Sequence, residues 1–185
     1  MKSIAVYCGA SLGADPVYAD AARGLARALV DHNIGLVYGG GKVGLMGVIA
    51  DEVLRLGGDA TGVIPKHLVE REVGHAGLTR LFVVKDMHER KAMMSDLADG
   101  FIAMPGGMGT LEELFEMVTW AQLGIHAKPI GLYNVNGFWN GLLAFVAHMV
   151  GEGFVRPAHA ALLMHEADAE ALVARMVGGE PPTLR

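Results

Sequence analysis

Short, continuous apolar runs alternate with longer segments of helical spacing along this chain, and few folds accommodate that rhythm. The runs fall at residues 3–8, 35–38, 60–64, 80–84, 100–104 and 129–133, with a weaker one near 162–164. Most are apolar throughout rather than alternately polar, as in strands covered on both faces of a parallel sheet. The helical segments are 15–32, 45–56, 87–98, 111–123, 138–152 and 168–177. Asp15 stands as N-cap before Pro16, Asp86 and Thr110 precede the third and fourth helices, and Gly57-Gly58 and Gly178-Gly179 act as stops. The repetition predicts a doubly wound α/β fold, with a mostly parallel sheet of six or seven strands and helices on both faces. Residues 1–178 are expected to form one domain, and residues 179–185, which include Pro181-Pro182, a flexible tail.

Composition narrows the function. Hydrophobic residues make up 52 % of the 185 and charged residues 19 %, which excludes a disordered chain. Lys and Arg number 15 against 20 Asp and Glu, and no basic run exists, so no nucleic-acid partner is expected. No apolar stretch approaches the ~18 residues of a membrane span, and the short run after Met1-Lys2-Ser3 does not resemble a secretory leader. No membrane partner is expected. The single cysteine, Cys8, fits a reducing compartment, and a cytoplasmic location is expected.

In a doubly wound sheet, ligands bind at the carboxyl ends of the strands, so the loops there are informative. After the first strand comes Cys8-Gly9-Ala10-Ser11, where Ser11 could bond a phosphate or ribose or simply close a turn. After the second comes Gly39-Gly40-Gly41-Lys42-Val43-Gly44, which satisfies G-x-G-x-x-G between a strand and a helix. The next strand ends without an acid to hold a ribose, so this loop reads as a phosphate or mononucleotide cradle rather than an NAD site. The alternative is a glycine-rich turn needed only for tight helix–sheet packing. After the fifth comes Met104-Pro105-Gly106-Gly107-Met108-Gly109-Thr110-Leu111-Glu112-Glu113, whose three glycines let backbone wrap an anion. Thr110 and Glu113 have capping-box spacing, as do Asp86 and Glu89. Glu112, Glu113 and Glu116 crowd a turn and a half, with Glu113 and Glu116 on one face. Such a cluster needs a cationic partner or a chemical step. Arg90 and Lys91, early in the helix after Asp86, are disfavoured by its dipole and suggest an anionic partner. The eight histidines lack metal spacing, and Cys8 reads as a buried structural thiol.

Pro105 to Glu113 matches PGGxGTxxE. With Gly39-Gly40-Gly41 and Met87-His88-Glu89-Arg90-Lys91, it resembles the LOG ("Lonely Guy") family, formerly labelled lysine decarboxylase-like. The resemblance runs from Cys8-Gly9-Ala10-Ser11 to Trp120-Ala121-Gln122-Leu123-Gly124-Ile125-His126. It implies a Rossmann-like fold, a homodimer, and hydrolysis of the N-glycosidic bond of a nucleoside 5′-monophosphate to free base and ribose 5-phosphate. It implies Arg90 and Glu113 as the catalytic pair. Around the nucleotide it implies Gly106, Gly107, Met108, Gly109, Thr110, Leu111 and Glu112, with Arg90, Lys91, Glu72 and Thr119. Ser11, Gly40 and Gly41 join them from the loop reading. Ala10 stands where the family commonly has Ser.

The chemistry suits these residues. Glycosidic cleavage builds positive charge on the ribose ring, and a carboxylate at Glu113 can stabilise it and orient or deprotonate water. Arg90 can hold Glu113, the ribose or the departing base. No metal or other cofactor is needed. A pyridoxal-phosphate decarboxylase would require a Schiff-base lysine, and none of the six lysines stands in an evident setting for one. A non-catalytic nucleotide carrier is the other alternative. Phe115, Met117, Val118, Trp120 and Leu123 are too many large apolar residues for one helix face and point to a dimer interface.

Overall fold

The computed structural model describes residues 1–69 and 74–179. Seven strands form one sheet: β1 Ser3–Tyr7, β2 Gly35–Tyr38, β3 Ala60–Pro65, β4 Arg80–Val84, β5 Gly100–Ala103, β6 Ile130–Tyr133 and β7 Leu163–Glu166. Their order is β4-β3-β2-β1-β5-β6-β7, and every neighbouring pair is parallel. The order reverses between β1 and β5, which leaves a crevice at their carboxyl ends.

Helices cover both faces. One core layer holds residues of α1 (Val17–Asp31), α2 (Gly44–Arg55) and α7 (Ala169–Gly178). The other holds residues of α3 (Met87–Leu97), α4 (Met108–Gln122) and α5 (Asn140–Gly151). The short helix α6 (Pro157–Ala160), which the spacing did not announce, packs its end on this second layer. The pleat explains the uninterrupted apolar runs. Ile4 and Val6 of β1 enter the first layer while Ala5 and Tyr7 enter the second, and Leu36 and Tyr38 of β2 oppose Val37 in the same way.

β4 departs from this pattern. It is an edge strand on which only Val84 is buried, while Leu81, Phe82 and Val83 are exposed. Helix starts also shift. α1 begins at Val17, with Pro16 at the cap position, and Asp15 accepts the Val17 amide from one place further out, at 2.9 Å. α4 begins at Met108, three residues earlier than the Thr-x-x-Glu spacing suggests, with Gly107 at the N-cap. Thr110 is therefore a buried residue of the first turn, and the Thr110–Glu113 capping box does not form. The other box does: Asp86 accepts the His88 and Glu89 amides at 3.0 Å each, and Glu89 accepts the Lys85 amide at 2.7 Å. α5 starts at Asn140, because a 3-10 turn at Val135–Gly137 with Asn136 at φ 50° intervenes.

The apolar residues of α4 divide. Met117 and Val118 belong to the chain's own core, so they are not interface residues, and Trp120 is partly buried against it. Phe115 and Leu123 remain exposed. α7 ends at Gly178, and the expected tail beyond Gly179 lies outside the described residues.

Candidate active site

The loop after β5 turns straight into α4, and the first-turn amides of that helix have no partner within the helix. A side chain added at Gly107 or Gly109 would meet nothing within 4 Å, so both glycines border open space. Gly106 is different. A Cβ there would collide with the Thr110 Oγ1 and lie 2.9 Å from the Gly9 amide nitrogen, so this glycine lets the β1 and β5 loops close on each other. In front of this turn lies a cavity of about 280 Å³, lined by Gly107, Gly109, Thr110, Glu112 and Glu113 of the β5–α4 connection. Arg90 and Met87 of α3, Gly39 and Met46, and Tyr7, Cys8 and Ala10 complete much of its wall.

Arg90 and Glu113 meet there from different helices. The Arg90 Nη2 stands 4.0 Å from the Glu113 Oε1, and the two side chains are 6 % and 11 % exposed. Arg90 also donates to the Gly39 carbonyl at 3.4 Å and to the Met87 sulfur at 3.7 Å. A Cβ at Gly39 would overlap the Arg90 guanidinium, so the first glycine of the second loop makes the seat for this cation. Removing two charges from water costs several kcal/mol per ion, and both of these buried groups face a cavity with room for a ligand.

Lys91 answers the question of the crowded acids. Its Nζ is bonded to Glu112 and lies 3.1 Å from Glu116, four residues further along the same helix. The acids that share a cation are thus Glu112 and Glu116, and Glu113 is turned to the cavity. Burial pulls the Lys91 ammonium down, but the bonds to Glu112 and Glu116 outweigh it and hold the group above the ordinary lysine value. A Schiff-base lysine needs the opposite shift. Among the described residues no lysine lines the cavity. Burial, aided by Glu113, pushes the Cys8 thiol well up, as expected of a structural thiol rather than a nucleophile.

The remaining residues singled out in the sequence scatter around this centre. Ser11 and Gly106 line an adjoining recess of about 240 Å³ with Tyr18 and Phe138, on the other side of Gly107. Gly40 and Gly41 face away from the cavity wall: the Gly40 carbonyl accepts the His75 amide at 3.0 Å, and Gly41 is bridged to Gly74. At the start of α2, the Leu45 amide is already given to the Gly9 carbonyl at 3.0 Å. Met108 is exposed, and Leu111 packs partly against the core. Thr119 lies on the exposed side of α4, where its hydroxyl donates to the Phe115 carbonyl at 2.7 Å. Glu72 lies outside the described residues. Tyr7, Met46, Leu68 and Met87 line the cavity without having been picked out. Tyr7 and Met87 had a usable signal, since each stands where a strand or its loop meets a helix at the carboxyl edge. Among the described residues no group of three or more His, Cys, Asp or Glu is placed to hold a metal, and no helix is long and apolar enough to cross a membrane.

Known proteins resemble this chain in sequence and in fold. The family profile described as "Possible lysine decarboxylase" matches residues 46–176. A cytokinin riboside 5′-monophosphate phosphoribohydrolase of Arabidopsis thaliana is 49 % identical over 97 % of this chain and 83 % of its own length. A second Arabidopsis thaliana protein of that name is 53 % identical over 83 % of this chain and 72 % of its own. Among solved structures, the Moco carrier protein of Chlamydomonas reinhardtii superposes with a TM-score of 0.71, covering 95 % of this chain and 94 % of that one. At 19 % identity that likeness concerns the fold alone. With the profile spanning most of the sheet and relatives matching nearly end to end, the chain belongs to the Lonely Guy family.

Proposed function

We propose that this protein hydrolyses the N-glycosidic bond of a nucleoside 5′-monophosphate, cytokinin riboside 5′-monophosphate or AMP, to free base and ribose 5-phosphate. The observation that carries the reading is the buried Arg90–Glu113 pair facing a cavity whose other wall is the open amino end of α4. The names of the relatives support it. The first-turn amides at Met108, Gly109 and Thr110 receive the 5′-phosphate, aided by the helix dipole. That seats the ribose toward Glu113. As the C1′–N bond breaks, its electron pair leaves with the base and the ring becomes cationic; the Glu113 carboxylate stabilises the ring and takes a proton from the water that bonds to C1′, and the departing base gains a proton from solvent. Arg90, fixed by the Gly39 carbonyl, orients Glu113 and the sugar. Glu112 bounds the nucleotide side of the cavity, with Lys91 bonded behind it, and Glu72 is a nucleotide contact on family resemblance.

The working unit is a homodimer. Phe115 and Leu123 of α4, Ile125 just beyond it, and Phe145 of α5 form exposed apolar surface on the same side of the sheet. Thr119 shares the exposed side of α4, so its contact with nucleotide is made across that interface. The enzyme acts in the cytoplasm as a single domain over residues 1–178.

The test is base release from AMP, prenylated AMP, GMP, CMP and UMP, each beside its nucleoside. Remote phosphate binding is used to position C1′, so AMP should react at least ~10²-fold faster than adenosine. Equal turnover of the two removes the phosphate from the mechanism, and no base released from any nucleotide favours a carrier.

A further inference from the structure

Between β3 and β4 the chain makes an excursion, of which residues 66–69 and 74–79 are described, and Leu68 of its outgoing arm lines the cavity. The returning arm is tied down by backbone: Gly74 is bridged to Gly41 and donates to the Val69 carbonyl at 2.9 Å, and His75 donates to the Gly40 carbonyl at 3.0 Å. The His75 side chain is 4 % exposed, and both ring nitrogens are engaged. Nδ1 receives the Gly77 amide at 3.1 Å, so it carries no hydrogen. Nε2 therefore bears the hydrogen and donates it to the Asp51 Oδ1 at 2.9 Å. Asp51 sits on α2 with its side chain 57 % exposed. Neither residue lines the cavity, and the reaction proposed above uses neither.

We propose that His75 is a positioning residue, which fastens the excursion to α2 and thereby holds the glycine loop that seats Arg90. The chain of contacts is continuous. Asp51 fixes the His75 ring, the His75 amide fixes the Gly40 carbonyl, and the adjacent Gly39 carbonyl accepts the Arg90 guanidinium. Gly40 has φ 76°, so the peptide on either side of it is free to turn unless something holds it. If it turns, the Gly39 carbonyl leaves Arg90 and the cation loses its alignment with Glu113. A small displacement of a charged group at a reacting centre is enough to slow chemistry by one or two orders of magnitude. Leu68 adds a second effect, because the same fastening keeps that side chain against the cavity.

Two substitutions at one position separate the two ring bonds. Asparagine carries an acceptor near the place of Nδ1, and glutamine carries a donor near the place of Nε2. His75→Asn thus keeps the bond to Gly77 and loses Asp51, and His75→Gln keeps Asp51 and loses Gly77. Asp51→Ala removes the same tie from a half-exposed surface position, so it tests the idea even if a His75 variant fails to fold. The readouts are kcat and KM on AMP, thermal unfolding, and amide hydrogen exchange across residues 74–77. The kinetic arm rests on the glycosidase reading; the exchange arm does not.

The expected result is that His75→Asn and Asp51→Ala lower kcat about tenfold, with KM changed less than about threefold, and speed exchange at residues 74–77. His75→Gln should keep both near the wild-type level. A wild-type kcat and wild-type protection in Asp51→Ala overturn the proposal, as does equal loss in His75→Gln and His75→Asn. Should the wild-type protein release no base from any nucleotide, the glycosidase reading falls. The exchange pattern then decides alone: protection lost in His75→Asn and Asp51→Ala but kept in His75→Gln upholds the fastening, and uniform protection overturns it.

Discussion

Glu113 is the side chain on which most depends, and its local chemistry can be isolated by a single atom change. Glu113→Gln keeps size and hydrogen bonding but removes the charge. Gly107 is the N-cap of α4, so no helix cap is lost, and a parallel melting temperature separates the effect on the buried pair with Arg90 from the effect on chemistry. Turnover on AMP should fall ~10²-fold or more. Arg90→Ala should lose most activity, whereas Glu116→Gln should be milder because Lys91 keeps Glu112. Near-wild-type turnover of Glu113→Gln with an unchanged melting temperature would move the catalytic carboxylate elsewhere. Gly39→Ala makes a sharper steric test. The added methyl occupies the guanidinium position, so Arg90 must leave its seat, and turnover should drop by about 10²-fold. Activity retained by Gly39→Ala would mean that Arg90 works from another place. That Arg90 and Glu113 come together was expected from the family resemblance, and the structure brings them to 4.0 Å at the cavity. The duty of Gly39 was not legible, because a steric exclusion by a side chain fifty-one positions away leaves no local mark.

Strands were the most legible elements and helix starts the least. A strand covered on both faces must be apolar along its buried length, and β1 from Ile4 on, β2 and β5 are. β4 is apolar from Leu81 to Val84 yet exposed at Leu81, Phe82 and Val83, because its place at the sheet edge is decided by order, which composition does not encode. The start of α4 was misplaced because Thr110 and Glu113 mimic a cap, while the glycine loop carries the turn itself. One junction gives a pH prediction. Asp99, just before β5, accepts the Lys2 and Ser3 amides at 2.5 and 3.2 Å and pins the first strand. The backbone bond from Lys2, above all, holds its carboxyl below the usual aspartate value. A depressed folded pKa gives stability that is present above the unfolded value of about 3.9 and is lost as pH falls through the folded one. The denaturation midpoint of the wild type should therefore fall more steeply below about pH 4 than that of Asp99→Asn, which starts lower at neutral pH. Parallel profiles for the two proteins would remove Asp99 from the acid transition.

For the molecule as a whole, the exposed apolar surface sets the expectation. Phe115, Leu123, Ile125 and Phe145 lie on the α4–α5 side, and α5 contains no Asp, Glu, Lys or Arg at all. A surface of this kind is suited to a partner of the same composition. Light scattering at micromolar concentration should give twice the chain mass, and Phe115→Glu with Phe145→Glu should halve it. A monomer mass for the wild type would defeat the dimer. The topology has one more consequence. Gly39 belongs to the half of the sheet that runs from β1 to β4, Glu113 to the half that runs from β5 to β7, and Arg90 to the helix that carries the chain back between them. A molecule bound among these three groups bridges the halves like a removable crosslink. Its binding free energy is then added to the cohesion of the entire sheet rather than to one loop, so occupancy of a single small cavity raises the resistance of the whole chain to unfolding.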